Sequence, residues 1–169
     1  MHYSNQDPHL AVNVARSALA SAEDIQDSAL MASTRLNLGT FCLETGLHDE
    51  AELHLNTALQ QSWNLGFQTG EQSTLDSLGT LYRKTDRLAK AQGAYQAALT
   101  LALELGDPQG ELEVELHLGA VELTLGNPEQ AAIHTARSLF LARETQSPKE
   151  EIEAHRLPAV LASSAADTS

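Results

Sequence analysis

Leu36, Leu38, Phe41 and Cys42 fall on neighbouring faces of a helix predicted from about Asp27 to Thr45. Gly46 breaks that helix. A short turn, Leu47-His48-Asp49, leads into a second helix. Ala51, Leu55, Ala58 and Leu59 line one face there, at spacings of three and four. Leu65-Gly66 ends it, because glycine takes the left-handed conformation past a helix C-terminus without a steric penalty. The pattern then runs again, with Asp86 at the place of Gly46 and Gly106 at the place of Gly66. In its third pass the turn Gly126-Asn127-Pro128-Glu129 is the clearest. Asn127 is expected as an N-cap, and Pro128 suits a first helical position.

The repetition is measurable by shifting the sequence 40 positions against itself. Leu38-Gly39 recurs as Leu78-Gly79 and Leu118-Gly119. Ala51 recurs as Ala91 and Ala131, with Ala11 one period upstream. Ala18, Ala58 and Ala98 form another column, closed by Ser138. Leu19, Leu59, Leu99 and Leu139 form a fourth. The small residues have a mechanical reason. Gly39, Ala51 and Ala58 sit where paired helices would cross closely, and larger side chains would push the helices apart. One hairpin alone leaves an apolar face uncovered, and stacking on the next covers it.

These columns resemble the tetratricopeptide repeat (TPR). Leu38-Gly39, Ala51 and Ala58 match its Leu-Gly in the first helix, its small residue early in the second, and its Ala seven positions later. The pattern recurs as Leu78-Gly79, Tyr82, Ala91, Tyr95 and Ala98, and as Leu118-Gly119, Ala131 and Ser138. The period exceeds the usual 34 residues, so the resemblance is to the longer variant of Leu-Gly-Asn repeat proteins and bacterial regulators. Arg35 and Glu115 replace the family's aromatic residue, Cys42 and Glu122 replace its Tyr, and Thr40, Thr80 and Ala120 stand in place of Asn. The resemblance implies an all-α fold: helix hairpins stacked as a solenoid into a right-handed superhelix of about 7–8 helices. One array is expected over 1–162. It holds a half repeat (7–26), full repeats (27–66, 67–106 and 107–146) and a degenerate capping helix (147–162) in which Pro158 replaces the expected Leu. A disordered tail is expected over 163–169.

In such arrays the first helices of the hairpins line a concave partner groove. The resemblance places there Ser33, Leu36, Thr40, Leu43 and Glu44, then Ser73, Asp76, Thr80, Arg83 and Lys84, then Glu113, Leu116, Ala120, Leu123 and Thr124. Leu36 and Thr40 occupy places where chaperone-binding members hold a terminal carboxylate with Lys and Asn, so that clamp is not expected. A Leu stripe (Leu36, Leu43, Leu116, Leu123) around a charged middle row suits an amphipathic helix. Leu36 and Leu116 equally suit packing between repeats.

Composition narrows the chemistry. The 169 residues are 42% hydrophobic but only 4% aromatic, so the core is built mainly from Leu and Ala. The net charge of -13 repels phosphate backbones and argues against a nucleic-acid partner. No basic start followed by an apolar run marks a leader, and no stretch is long and apolar enough for a membrane span. A cytoplasmic protein is therefore expected. Cys42, the single cysteine, has no disulfide partner within the chain and lies in a core column, where an inert thiol is expected. His54 and His134 share a column but stand two repeats apart, too far to share an ion. No metal site and no cofactor are predicted. Glu111, Glu113 and Glu115 read as a solvated acidic helix start, favoured by the helix dipole. Arg83, Lys84, Arg87 and Lys90 form a basic cluster, read either as a seat for an acidic segment or as solvated charge. No phosphate-cradling glycine loop or nucleophile elbow is present. The expectation is a non-catalytic protein-interaction module that binds a partner's peptide or helix. The alternative is an oligomerisation or sensory segment of a larger bacterial regulator. That alternative includes a homodimer through the open half repeat, which is expected to leave Val12, Ala15 and Leu19 partly uncovered.

Overall fold

The computed structural model describes the backbone of residues 8–166 and the side chains of residues 9–157. Among the described residues there are eight α-helices and no strand: α1 (Pro8–Asp24), α2 (Ser28–Glu44), α3 (His48–Leu65), α4 (Gln68–Lys84), α5 (Leu88–Leu105), α6 (Pro108–Leu125), α7 (Pro128–Glu144) and α8 (Pro148–Ala166). The fold is all-α, made of α-α hairpins. The chain divides into two units, Met1–Leu81 and Tyr82–Ser169, with the boundary inside α4.

One joint recurs seven times among the described residues. Residues 26, 46, 66, 86, 106, 126 and 146 all have positive φ, and each is followed by a single residue before the next helix begins. At every joint two backbone bonds cap the helix that is ending. The left-handed residue donates to the carbonyl three back, as in Gly46 to Leu43, 3.3 Å. Its successor donates to the carbonyl five back, as in Leu47 to Cys42, 2.8 Å. This is the Schellman arrangement. The carbonyl of that successor then accepts the first bond of the next helix, as in Ala51 to Leu47, 2.9 Å. The turn after Gly46 is thus shorter than the expected Leu47-His48-Asp49, because α3 already starts at His48.

Four of the seven left-handed positions are glycines. The others are Gln26 (φ 54), Asp86 (φ 58) and Gln146 (φ 54). A side chain in that conformation is strained, Asp less than Gln. Gln146→Gly is expected to stabilise the protein by about 0.5–1 kcal/mol, the relief of strain exceeding the entropy that glycine adds to the unfolded chain. Asp86→Gly should gain less. Thermal unfolding monitored by circular dichroism checks both, and an unchanged or lower midpoint for Gln146→Gly would contradict the reading.

Side-chain capping is sparse. Leu30 N–H donates to Asp27 Oδ1 (2.9 Å) at the start of α2. Asn127 occupies the N-cap position of α7 as expected, but its side chain makes no capping bond there. Its Nδ2 instead donates to Glu122 Oε2 (2.8 Å) at the end of α6. Pro128 does occupy the first turn of α7.

In the first unit α1 packs on α2, and α2 on α3. Leu38, Cys42, Leu55 and Ala58 are buried between them. A Cβ on Gly39 would lie 2.7 Å from Leu55 Cγ, so the helices meet there at a distance only glycine permits. In the second unit α6 packs on α5, α7 and α8. Leu112, Leu116, Leu141, Ala142 and Ala154 form a core there, with Leu139 and Leu157 packed against it. The last helix continues through Pro158 to Ala166, beyond the expected boundary at 162. Positions 163–166 therefore extend α8, consistent with strong helix formers at Ala159, Ala162, Ala165 and Ala166. The rest of the expected tail, 167–169, and position 7 of the half repeat lie outside the described residues.

Candidate functional site

The partner-groove residues divide sharply by burial. In the first unit Leu43 is only 4% exposed and belongs to the core. Ser33, Leu36, Thr40, Asp76 and Thr80 are half-buried, while Glu44 and Ser73 are exposed. In the second unit Leu116 is a core residue. Arg83, Ala120 and Leu123 are half-buried, and Lys84, Glu113 and Thr124 are exposed. Two of the four leucines of the expected stripe, Leu43 and Leu116, are therefore core, and Leu36 and Leu123 are half-buried. Leu43 and Leu116 are enclosed because α2 packs on both α1 and α3, and α6 on α5, α7 and α8. What these helices leave accessible is mainly hydroxyl, carboxylate and cationic groups.

The accessible groups are partly pre-set. Thr40 Oγ1 donates to Leu36 O (3.0 Å) and stands 3.4 Å from Ser77 Oγ, which places the polar faces of α2 and α4 side by side within the first unit. Ser77 was missed by the sequence reading, as was exposed Asn37. The signal was present: Asn37, Ser77 and His117 form a polar column at the repeat offset. In the second unit Arg87 and Lys90 flank the Tyr82 ring, at 4.6 and 5.6 Å from its centroid. Arg83 Nε is enclosed and has no hydrogen-bond partner.

The acidic start of α6 is not solvated as expected. Glu113 is exposed, but Glu111 and Glu115 are buried. They stand one turn apart on the side facing α7. Glu111 accepts from Arg137 (2.6 Å), and Glu115 Oε2 lies 2.6 Å from His134 Nδ1. Glu122, also buried, accepts from Gln92 Nε2 (2.6 Å) on α5 and from Asn127. The three carboxylates tie α6 to both neighbouring helices. This is the arrangement buried charges require: a partner for each, with little exposure to water.

Cys42 is fully buried, and burial pushes its thiol up, away from the reactive thiolate. Burial also lowers His54, against the opposing pull of Glu50. Among the described residues no group of three or more His, Cys, Asp or Glu is placed to hold a metal ion, and no helix is long and apolar enough to cross a membrane.

Many of the exposed large apolar side chains lie on α1, α3, α5 and α7, the second helices of the hairpins, with Ile25 in a joint and Leu30 and Ile152 on α2 and α8. Trp63 and Leu53 on α3 are 66% and 65% exposed. On α1, Ala18 is exposed, whereas its repeat counterparts Ala58, Ala98 and Ser138 are fully buried. Val12, Ala15 and Leu19, expected to be partly uncovered, are instead buried, since they face α2.

No family model matches the sequence, and no curated protein matches it. Solved structures do match in fold. The Rap conjugation gene regulator of plasmid pLS20, solved in complex with the Phr* peptide, superposes with a TM-score of 0.80 at 17% identity over 88% of this chain. BtubC from P. vanneervenii superposes with a TM-score of 0.79 at 17% identity over 95% of this chain. The chain spans 40% of the length of the first and 67% of the second.

Proposed function

We propose that the chain is a TPR-like module of the longer repeat variant that binds a peptide segment of a partner protein along the polar faces of α2 and α4 that stand side by side in the first unit. It acts by surface complementarity and not by catalysis. The observation that carries this reading is the 0.80 TM-score to a regulator solved with a peptide bound. The polar face itself favours an extended segment over an amphipathic helix. Hydroxyl groups at Ser33, Thr40, Ser73 and Ser77 suit main-chain donors and acceptors, and Leu43, which would help grip an apolar helix, is enclosed.

The test is a displayed library of 12-residue peptides panned against the purified protein. Bound peptides should lose affinity at least about tenfold when Thr40→Arg and Ser73→Arg fill the polar face, the loss expected when several contacts are blocked together. Gln60→Arg on the exposed side of α3 should leave affinity unchanged. Failure to select any peptide, or equal losses for both variants, overturns the proposal.

A second reading is self-association through α1. The exposure of Ala18, against buried counterparts in the three following hairpins, favours it. Light scattering should then give more than a monomer for the wild type and a monomer for Ala18→Glu.

A further inference from the structure

Helices α3, α5 and α7 bury the same stripe of small residues. Ala51, Ala91 and Ala131 are enclosed, and so are Ala58, Ala98 and Ser138 seven positions on. Helix α1 stands in their register, and among the described residues no first helix precedes it. Its stripe is Ala11, Val14, Ala18 and Ser21, at spacings of three and four. Val14 is 60% exposed, Ala18 and Ser21 are exposed, and Ala11 is half-buried. The other side of α1, with Val12, Ala15, Leu19 and Ala22, is buried and packs on α2. Helix α8 shows the reverse. It stands in the register of α2, α4 and α6, and no second helix follows it among the described residues. Ala32, Gln72 and Leu112 are buried, whereas Ile152 at the same position is 57% exposed. Leu112 shares its core with Leu141 and Ala142 of α7, the second helix of its own hairpin. One turn further, Glu115 meets His134 of α7, while His155 in its place on α8 is exposed. Ile152 also lines an open hollow with Pro148, Lys149, Glu153, Arg156 and Leu157.

We propose that α8 of one protomer packs against α1 of a second copy, so that the hairpin which recurs within the chain is rebuilt between two chains. The inference rests on the self-association reading above and names the surface that α1 meets. The occupant follows from the register. The stripe of α1 is the one that second helices elsewhere offer to a first helix, and the open face of α8 is the one that first helices elsewhere offer to a second. Ile152 takes the place of Leu112, and Val14 takes the place of His134. Charge does not oppose the pairing locally. Helix α1 holds Arg16 against Glu23 and Asp24, and α8 holds Lys149 and Arg156 against Glu150, Glu151 and Glu153. The two helices therefore carry little of the net charge of -13. The contact joins two different surfaces, so each protomer offers one face of each kind.

The experiment is sedimentation equilibrium of the full chain at loads up to about 0.5 mM, where even a weak interface of one helix pair is occupied. The wild type should exceed the monomer mass. Ala18→Glu on α1 and Ile152→Glu on α8 change exposed positions and should fold normally by circular dichroism. Each should weaken association at least about tenfold, because the contact would enclose an unpaired carboxylate. Mixed one to one, the two variants should form a dimer and nothing larger, since the first still offers α8 and the second still offers α1. Val14→Glu and His155→Glu, also at exposed positions, should reproduce the pair. About 0.5 M sodium chloride should strengthen the wild-type association, since it screens the repulsion between two acidic chains and spares an apolar contact. A wild type that stays monomeric, or Ala18→Glu associating like the wild type, overturns this inference and the self-association reading together. Association unchanged by Ile152→Glu, or two monomeric variants that form no dimer when mixed, overturns the α8 seat and leaves α1 pairing with itself. Association abolished by salt marks an ion-paired contact and overturns the apolar one.

Discussion

Tyr95→Ala is expected to cost about 3–5 kcal/mol, the usual loss for truncating a fully buried aromatic side chain. Tyr95 is the largest fully buried side chain among the described residues. It projects from α5, and its ring centroid lies 5.0 Å from that of His117 on α6, tilted by 31°. Aromatics make up 4% of the chain, so no second large ring is available to refill the space. The surrounding core is Leu and Ala, which already sit close-packed and relax only partly around a void. Truncation also removes the ring contact that joins α5 to α6, and α6 is the helix on which α5, α7 and α8 all pack. The loss should therefore appear as a lowered unfolding midpoint in urea, monitored by far-ultraviolet circular dichroism. A shift equivalent to less than about 1 kcal/mol would mean that the site collapses freely, contrary to the packing described.

Most of this fold was legible because the repeat supplies its own alignment. Leu-Gly pairs in register locate the first helices, Ala columns locate the second, and glycine marks four of the seven joints. The joints at Gln26 and Gln146 were not legible as left-handed, since nothing in glutamine announces positive φ. They become visible only once the joint is seen to recur at half the repeat, after every helix. The site was less legible. A periodic pattern says which face of a helix is apolar, but not how many neighbours cover that face. Leu43 and Leu116 accordingly read as groove residues, and the flanking helices turn them into core. Glu111 and Glu115 misled for the opposite reason. Acids near a helix start suit the dipole whether or not they are solvated, and the partners Arg137 and His134 lie a whole helix away in sequence. Arg83 was legible as part of a basic cluster. Its enclosure was not, although its leucine column was a clue.

Gly39→Ala and Gly119→Ala should have different outcomes although they are the same change at the same register position. Each glycine faces the residue sixteen positions on: Leu55 for Gly39 and Thr135 for Gly119. At Gly39 the added methyl would lie 2.7 and 2.8 Å from Leu55 Cγ and Cδ2, and 3.3 Å from its backbone N. Leu55 is fully buried and has no room to turn aside, so α2 and α3 must separate. Overpacking of this kind costs about 1–3 kcal/mol, which outweighs the gain of about 1 kcal/mol from replacing a helical glycine by alanine. At Gly119 the nearest atom is Thr135 Oγ1 at 3.2 Å, then Leu157 Cδ1 at 3.4 Å. A shift of a few tenths of an ångström suffices there, and the propensity gain should leave the variant close to neutral. The mechanism can be isolated by a double-mutant cycle. Leu55→Ala alone should destabilise by about 2–5 kcal/mol through the cavity it opens. In that background Gly39→Ala should become neutral or stabilising, because the atoms it struck are gone and its methyl fills part of the void. Equal costs for Gly39→Ala with and without Leu55 would show that close approach of the two helices is not what requires the glycine.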